Sequence, residues 1–185
     1  MPWIHVVEED EADGTLKQAY AAVKGKRGKV ANILKIHSLL PQTMVGHLDF
    51  YTQIMFAPGA LNRRQRELVA TVVSVANRCD YCIRHHAEAL QAYVKDQAFV
   101  DQVVEDYTGA ALSAAERAMC DYAVKLTQTP HEVDESDVEG LRQAGLNDRA
   151  ALQLALVTGY FNFVNRVALG LGVSFSEDEL RGYTY

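Results

Sequence analysis

The chain has 185 residues, of which 49% are hydrophobic and 23% charged, proportions that are ordinary for one soluble globular domain over residues 1–185. Its formal net charge of −6 argues against a nucleic-acid partner. The three cysteines are too few, and odd in number, for a secreted disulfide framework, and the first residues lack the pattern of a signal peptide. We therefore expect a cytoplasmic protein in a reducing compartment.

Helical periodicity dominates the chain and predicts an all-α fold. Capping residues, glycines and prolines mark where the helices begin and end. In chain order, the predicted helices cover about 13–24, 31–37, 41–56, 62–76, 79–92, 96–107, 113–127, 134–145 and 148–171.

The helix predicted at 62–76 carries two conflicting signals. Residues 69–75 are rich in β-branched side chains, which would suit a strand. Asn62 and Gln65 form a capping box, however, and the apolar residues recur at helical spacing, so a helix is the better prediction. Ser113 and Glu116 open the helix at 113–127 in the same way. We interpret this repeated pattern as a duplicated helical unit, of which only the first copy keeps a cysteine motif.

The last predicted helix, residues 148–171, is very apolar. Polar side chains at Gln153, Asn162, Asn165 and Arg166 interrupt it, which argues against a membrane span. We expect this helix to lie in the core or in a subunit interface, with its polar groups in a buried network or a subunit contact.

The most informative pattern is Cys79-x-x-Cys82 followed by His86, with Glu67 twelve residues upstream of the first cysteine. On a helix, positions 79, 82 and 86 share one face, so their side chains converge. The Cα separation of an i, i+3 pair, about 5–5.5 Å, lies within the range that a disulfide spans. A helix start lowers the pKa of a thiol, and a nearby histidine and carboxylate can take and pass on its proton.

Other interpretations of these residues are open. The cysteines and His86 could bind zinc with Glu67 or His85 as a fourth ligand, although structural zinc sites usually draw ligands from two separate segments. The cysteines could also be small buried hydrophobes. Tyr81 could pack over the thiols or donate a hydrogen bond, and packing is the better-supported expectation; we expect Cys120 to lie in the core. The isolated histidines receive no role; they are His5, His37, His47 and His131.

At these residues the sequence resembles the alkylhydroperoxidase D-like branch of the carboxymuconolactone decarboxylase superfamily. The pattern there is a glutamate followed by Cys-x-x-Cys-x-x-x-His on the next helix, and the chain matches it in residue type and spacing. Further segments resemble the uncharacterised peroxidase-related proteins of this branch, so that the likeness extends over nearly the whole chain. These segments are Pro2-Trp3-Ile4, Leu40-Pro41, Asn165-Arg166 and Leu171-Gly172-Val173.

The resemblance implies an all-helical fold that assembles as a trimer or hexamer, and peroxide reduction without haem, flavin or a required metal. It implies that Cys82 is the peroxidatic thiol, that Cys79 is the resolving thiol, and that Glu67 and His86 form a proton relay. In thioredoxin-like sites the first cysteine is the nucleophile, but His86 lies four residues after Cys82, which favours Cys82 here. Tyr81 stands where the best-known members have a second histidine. This departure from the family pattern would weaken the proton relay and so lower peroxidase turnover.

We therefore predict a thiol-dependent peroxidase-like oxidoreductase that reduces hydroperoxides, and whose oxidised cysteines are reduced again by an unidentified dithiol. It should be a homo-oligomer with no cofactor, no metal, no nucleic-acid partner and no membrane contact. The alternatives are a non-turnover redox sensor, a zinc-stabilised helical module and a carboxymuconolactone decarboxylase-like lyase. The decarboxylases of the superfamily generally lack the CxxC, which disfavours the lyase.

Overall fold

A computed structural model describes residues 2–175 and Glu179, and its regular elements in this part of the chain are all helical, as predicted. In chain order, the α-helices are α1 Gly14–Arg27, α2 Asn32–Lys35, α3 Pro41–Met55, α4 Arg63–Ala76, α5 Asp80–Val94, α6 Gln97–Asp106, α7 Ala114–Gln128, α8 Glu135–Gln143 and α9 Asp148–Leu171. Short 3₁₀ turns follow α6 and α7, at Tyr107–Gly109 and Pro130–Glu132.

The helix ends differ from the prediction at a few places. The first helix, predicted to end at about residue 24, continues through Arg27 and is capped by Gly28. Gly28 has φ 79°, a left-handed backbone conformation that glycine adopts without steric cost. Helix α2 spans only four residues, fewer than the predicted 31–37, and α8 ends at Gln143.

Helix α4 lies at the centre of the fold and packs against α5, α6, α7 and α9. The predicted capping box is present, with Asn62 accepting from the Gln65 backbone and Gln65 accepting from that of Asn62. Nine consecutive residues, from Arg66 to Ser74, are buried. Because burial surrounds α4, its β-branched residues pack well inside a helix, and tertiary packing overrides their strand propensity. Helix α7 opens with the same kind of capping box.

Helix α9 is long and apolar enough to cross a membrane by length and composition, but one side of it is core. Leu154, Val157 and Phe161 are fully buried, and α9 packs against α3, α4, α7 and other helices. It ends at Gly172, whose positive φ of 65° favours glycine; a Cβ at this position would lie 2.6 Å from the Trp3 ring.

Candidate functional site

The two cysteines of the motif meet at the start of α5. Cys79 is the N-cap residue and Cys82 the third residue of the helix, as the predicted convergence requires. Their Sγ atoms are 2.6 Å apart as free thiols, and both residues are buried. The turn before them contains Arg78 in a left-handed conformation, φ 56°, which lets α5 fold back along α4. A disulfide between the two sulfurs needs little movement.

The contact between the two thiols shifts their pKa values in opposite directions. The hydrogen bond from Cys82 lowers the pKa of Cys79 despite its burial. The same contact, together with burial, raises the pKa of Cys82, and a hydrogen bond from Asn165 only partly opposes this. Such closely coupled thiols titrate as a pair, and their first proton leaves the pair as a whole.

A cavity reaches the second cysteine. We call it the thiol cavity; it has a volume of about 80 Å³, opens to solvent, and has a mostly apolar surface. Its lining residues are Ala31, Ile33, Leu34, His47, Leu48, Tyr51, Tyr81, Cys82, His85, His86, Ala89, Tyr160, Phe161 and Val164. Among the described residues, Cys82 and His86 thus line one cavity and Cys79 lies behind it. A ligand in the cavity would therefore meet Cys82 first.

Glu67 is fully buried on α4, and its two carboxylate oxygens contact different partners. Arg63 donates to Oε1 from Nε at 2.8 Å and from Nη2 at 2.5 Å. His86 Nδ1 lies 2.7 Å from Oε2. Burial raises the pKa of Glu67, but the charge of His86 when it is protonated, the charge of Arg63 and the hydrogen bonds from both outweigh it, so the net pKa is lowered. Glu67 is therefore a carboxylate that orients His86.

The hydrogen-bond partner of His86 fixes which of its nitrogens is basic. A carboxylate only accepts, so Nδ1 carries the hydrogen and Nε2 of the neutral ring keeps its lone pair. The ring also packs edge-on against Phe161, with centroids 4.4 Å apart. His86 is thus held as an oriented base in the wall of the thiol cavity.

Sequence reasoning missed Arg63 as a member of the site. Its guanidinium lies 3.7 Å over the Phe56 ring and donates to the Met55 carbonyl at 3.2 Å as well as to Glu67. The i, i+4 spacing of Arg63 and Glu67 on one helix was the signal that could have found it. Arg63 supplies the positive charge that keeps a fully buried carboxylate ionised.

Asn165 was expected in a polar network and also touches the motif. Its amide donates to Ser74 Oγ at 3.3 Å and accepts from Asn77 at 3.0 Å, and it hydrogen-bonds to Cys82. Asn77 also donates to Asn162, at 3.0 Å. The polar residues of α9 thus tie this helix to the α4–α5 turn beside the thiols.

Tyr81 has a larger role than packing. Its hydroxyl donates to Glu179 at 2.9 Å and accepts from the Ile33 backbone N–H at 3.2 Å. Its ring stacks on His85 with centroids 4.2 Å apart. His85 donates from Nδ1 to the Tyr81 carbonyl at 2.8 Å and faces Glu179 with Nε2 at 2.9 Å. Tyr81 thus connects α5 to α2 and to Glu179.

Two further expectations concern metal binding and the third cysteine. Within residues 2–175 and Glu179, no group of three or more His, Cys, Asp or Glu side chains is arranged to hold a metal ion. The zinc-stabilised module therefore stays an alternative for metal analysis of the purified protein to test. Cys120 is fully buried in the packing of α4, α6 and α7, and burial raises its pKa to about 12. Its predicted place in the core is confirmed.

Several solved structures share this fold. An uncharacterized peroxidase-related protein from Ralstonia eutropha JMP134, with an alkylhydroperoxidase AhpD core, is 30% identical over 97% of this chain and 94% of its own, with a TM-score of 0.86. An uncharacterized peroxidase-related protein from Silicibacter sp. TM1040 is also 30% identical, over 97% and 91%, with a TM-score of 0.82. The debrominase Bmp8 shares the fold at 18% identity, over 95% and 96%, with a TM-score of 0.75.

Sequence comparison also identifies the family, although no curated protein sequence matches the chain significantly. The sequence pattern of the carboxymuconolactone decarboxylase family matches residues 41–125, the segment that contains Glu67, both motif cysteines and His86. With 30% identity to the Ralstonia protein over nearly the whole of both chains, the protein belongs to the carboxymuconolactone decarboxylase superfamily, in its alkylhydroperoxidase D-like branch.

Proposed function

We propose that the protein is a thiol-dependent peroxidase that reduces hydroperoxides through Cys82 and Cys79. One observation carries the proposal: Cys82 lines a cavity together with an oriented histidine base, and a second thiol lies 2.6 Å behind it. The related proteins described as peroxidase-related support the same class of activity.

The geometry supports a balanced cycle. His86 Nε2 takes the proton of Cys82, and the Cys82 thiolate attacks the terminal oxygen of the hydroperoxide. The S–O bond forms, the O–O bond breaks, and the leaving alkoxide takes the proton from His86 to become an alcohol. Cys79 then attacks the sulfenic acid on Cys82, which releases water and forms the disulfide. An external dithiol reduces that disulfide by exchange, and its own thiols are oxidised.

Two observations bear on which cysteine attacks, and they point in opposite directions. The shared hydrogen bond lowers the pKa of Cys79 and raises that of Cys82. Access favours Cys82, since it lines the cavity that a substrate would enter. We assign the attack to Cys82, because a nucleophile must reach its substrate and because His86 lies in the same wall to remove the proton.

Stopped-flow mixing of the reduced protein with hydrogen peroxide, cumene hydroperoxide and tert-butyl hydroperoxide tests the proposal. We expect loss of two thiols per chain, and repeated turnover when a dithiol such as dithiothreitol is supplied. A single round of oxidation without turnover would instead indicate a redox sensor. Intact thiols after exposure to every hydroperoxide would overturn the proposal.

A second candidate function is reductive dehalogenation of a small aromatic compound. The debrominase Bmp8 has this fold, and a cysteine-to-alanine variant of it was solved with 2,3,4-tribromopyrrole at a TM-score of 0.77 to this chain. The aromatic residues of the thiol cavity favour a flat apolar ligand; they include Tyr51, Tyr160 and Phe161. In this reaction the dithiol would become a disulfide while a carbon–bromine bond is replaced by carbon–hydrogen. Bromide release from tribromopyrrole under the same conditions would identify it.

We further propose a cytoplasmic homo-oligomer without nucleic-acid or membrane partners. A reducing compartment would keep the paired thiols ready for oxidation. Large apolar side chains remain exposed along α9 and beside α3, which supports association with further copies; they are Leu39, Leu40, Phe50, Leu152, Leu156, Phe163 and Leu169. The remaining partner would be the external dithiol, which would reduce the Cys79–Cys82 disulfide after each oxidation.

A further inference from the structure

Asn165 is a fully buried amide of α9 that contacts the sulfur of Cys82. The proposed peroxidase cycle uses both cysteines and His86, but it gives this amide no role. A polar side chain so deeply buried is costly unless its groups are paired, so each of its contacts has a donor and an acceptor to be identified.

The hydrogen bonds of Asn165 fix which way its amide points. Its Oδ1 accepts from Asn77 Nδ2 at 3.0 Å. Its Nδ2 donates one hydrogen to Ser74 Oγ at 3.3 Å. The Ser74 hydroxyl uses its own hydrogen on the Ala70 carbonyl at 2.7 Å, so toward Asn165 it is an acceptor. The second hydrogen of Nδ2 is the one that remains for Cys82.

A second amide fixes the direction of Asn77. Arg166 donates to Asn162 Oδ1 at 2.7 Å, and Asn162 Nδ2 donates to the Thr158 carbonyl at 3.0 Å. Asn162 therefore turns an oxygen toward Asn77, which meets it with Nδ2. The same nitrogen meets Asn165, so the Asn165 atom that it contacts is the oxygen.

The hydrogen bond between Asn165 and Cys82 is therefore one that the amide donates. Such a bond stabilises a thiolate more than a neutral thiol, because the negative charge strengthens it. In agreement with this direction, the contact lowers the pKa of Cys82, against the effects of burial and of the neighbouring thiol. Asn165 is 0% and Cys82 2% exposed, so water does not compete for the bond.

The amide is held in place before any charge develops on the sulfur. Ser74 lies in the last turn of α4 and Asn77 caps that helix. The backbone N–H of Cys79 donates to the Ser74 carbonyl at 3.0 Å, so the turn that places the cysteines also places the partners of Asn165. A donor that is already oriented needs no rearrangement when the thiolate forms.

We infer that Asn165 is a catalytic residue that stabilises the Cys82 thiolate by donating a hydrogen bond from Nδ2 to Sγ. His86 lines the thiol cavity with Cys82 and removes the proton there, whereas Asn165 lies outside the cavity lining and holds the charge that remains. The catalytic role rests on the proposed function. The hydrogen bond to the thiolate does not depend on it.

The test measures the pH dependence of alkylation by iodoacetamide in a Cys79→Ala, Cys120→Ala background, where Cys82 is the single thiol. Without its coupled neighbour Cys82 titrates alone, and the midpoint of the rate reports its thiolate. Asn165→Leu removes the donor at similar volume. We expect the midpoint to rise by about one to two pH units, the range for a hydrogen bond to a charged group. At a fixed pH below the midpoint the rate should fall by about threefold to tenfold, because the less acidic thiolate is intrinsically more nucleophilic.

Asn162→Leu is the matched control. Asn162 lies on the same helix and also accepts from Asn77, but its Nδ2 donates to Thr127 and to the Thr158 carbonyl. Asn77 keeps one acceptor in either leucine variant, so a general disturbance of the network would affect both. We expect Asn162→Leu to keep the midpoint of the parent protein.

A second variant keeps the test decisive should circular dichroism show that Asn165→Leu is unfolded. Asn165→Asp preserves the shape and the oxygen that Asn77 contacts, and it replaces the donor by a second carboxylate oxygen. At the alkaline pH where the thiol titrates, this carboxylate should raise the midpoint at least as much as leucine does.

An unchanged midpoint in a folded Asn165 variant, or an equal rise in Asn162→Leu, would overturn the inference. In the protein with all three cysteines, Asn165→Leu should also slow oxidation by hydrogen peroxide at neutral pH by about threefold to tenfold; a wild-type rate would remove its catalytic role. Alkylation uses no peroxide, so failure of the proposed function has a different signature. In that case the midpoint still shifts in the Asn165 variants, while every hydroperoxide leaves the thiols of the wild type intact.

Discussion

Arg63 and His86 hold opposite oxygens of the Glu67 carboxylate. Arg63 takes Oε1 through two donors, and His86 takes Oε2 through Nδ1 at 2.7 Å. The carboxylate therefore keeps its charge in a fully buried position and uses it to orient the imidazole. A proton taken from Cys82 would rest on His86, next to this fixed negative charge.

The first prediction concerns this relay. Glu67→Gln removes the counter-charge and His86→Ala removes the base, so each should slow thiol oxidation by peroxide at neutral pH by at least about tenfold, the low side of typical general-base contributions. If the two act as one unit, the double variant should be little slower than the slower single variant. Stopped-flow rates measure this. Glu88→Gln, an exposed carboxylate on α5, is the matched control and should react at the wild-type rate. Wild-type rates in both single variants would show that this chain does not use the relay.

The second prediction concerns the disulfide. Mild oxidation should remove two thiols per chain and link Cys79 to Cys82, since their sulfurs already face each other. Cys120 should stay reduced, because it is fully buried and its pKa is about 12. Mass mapping after peroxide treatment measures the pairing, and Cys120→Ala should oxidise like the wild type. Unlinked Cys79 and Cys82 would exclude the disulfide cycle.

The third prediction separates the roles of the two cysteines. In Cys79→Ser, peroxide should leave a sulfenic acid on Cys82 that a dimedone reagent can trap, because the resolving thiol is gone. In Cys82→Ser, little sulfenic acid should form, since Cys79 lies behind the cavity and Cys120 is fully buried in the core. Labelling of Cys79 in the second variant, with none of Cys82 in the first, would reverse the assignment.

The fourth prediction concerns assembly. Leu152 is 62% exposed, Leu156 40%, Phe163 46% and Leu169 45%, so a large apolar surface of α9 lies open in a single chain. We expect a trimer or hexamer in dilute solution, measured by light scattering. Replacing Leu156 and Phe163 with lysine should shift the protein toward smaller species while circular dichroism stays helical. A wild-type monomer would contradict the prediction.

The fifth prediction concerns acid stability. His47 has a folded-state pKa of about 3 against an ordinary 6.5, so below pH 6.5 the unfolded chain binds a proton that the folded chain does not. The free energy of unfolding should therefore decrease as the pH falls from 6.5 toward 5, with a contribution from His47 of at most about 1.4 kcal/mol per pH unit. Urea titrations of His47→Gln should give a shallower pH dependence over this range. His131→Gln, at a histidine whose side chain is 77% exposed, should keep the wild-type slope.

Much of the site was predictable because it is local in sequence. Cys79, Cys82 and His86 lie within eight residues on one helix start, where helical geometry alone brings them together. The capping boxes were equally local signals. Glu67 stood out in the sequence as an upstream carboxylate, but its pairing with His86 was implied by the family pattern, since nothing local indicates that α4 folds back on α5.

The remainder depends on contacts between distant segments. His47 and Tyr160 are 113 residues apart, and their contact follows from the packing of α3 on α9. Tyr81 and Glu179 are 98 residues apart. His37 and His47 look isolated in the sequence because their partners are not sequence neighbours. The i, i+4 spacing of Arg63 and Glu67 could have indicated their ion pair. Such a spacing usually means an exposed pair on a helix surface, however, and not a member of a buried site.

The contact between His85 and Glu179 gives α5 two adjacent histidines that each face a carboxylate. His85 Nδ1 donates to the Tyr81 carbonyl and its Nε2 lies 2.9 Å from Glu179, whereas His86 turns Nδ1 toward Glu67. The pKa of Glu179 is lowered by His85 and other donors despite burial. Two consecutive residues of α5 therefore fasten segments from both sides of it in the chain: α4, which precedes it, and Glu179, which follows α9.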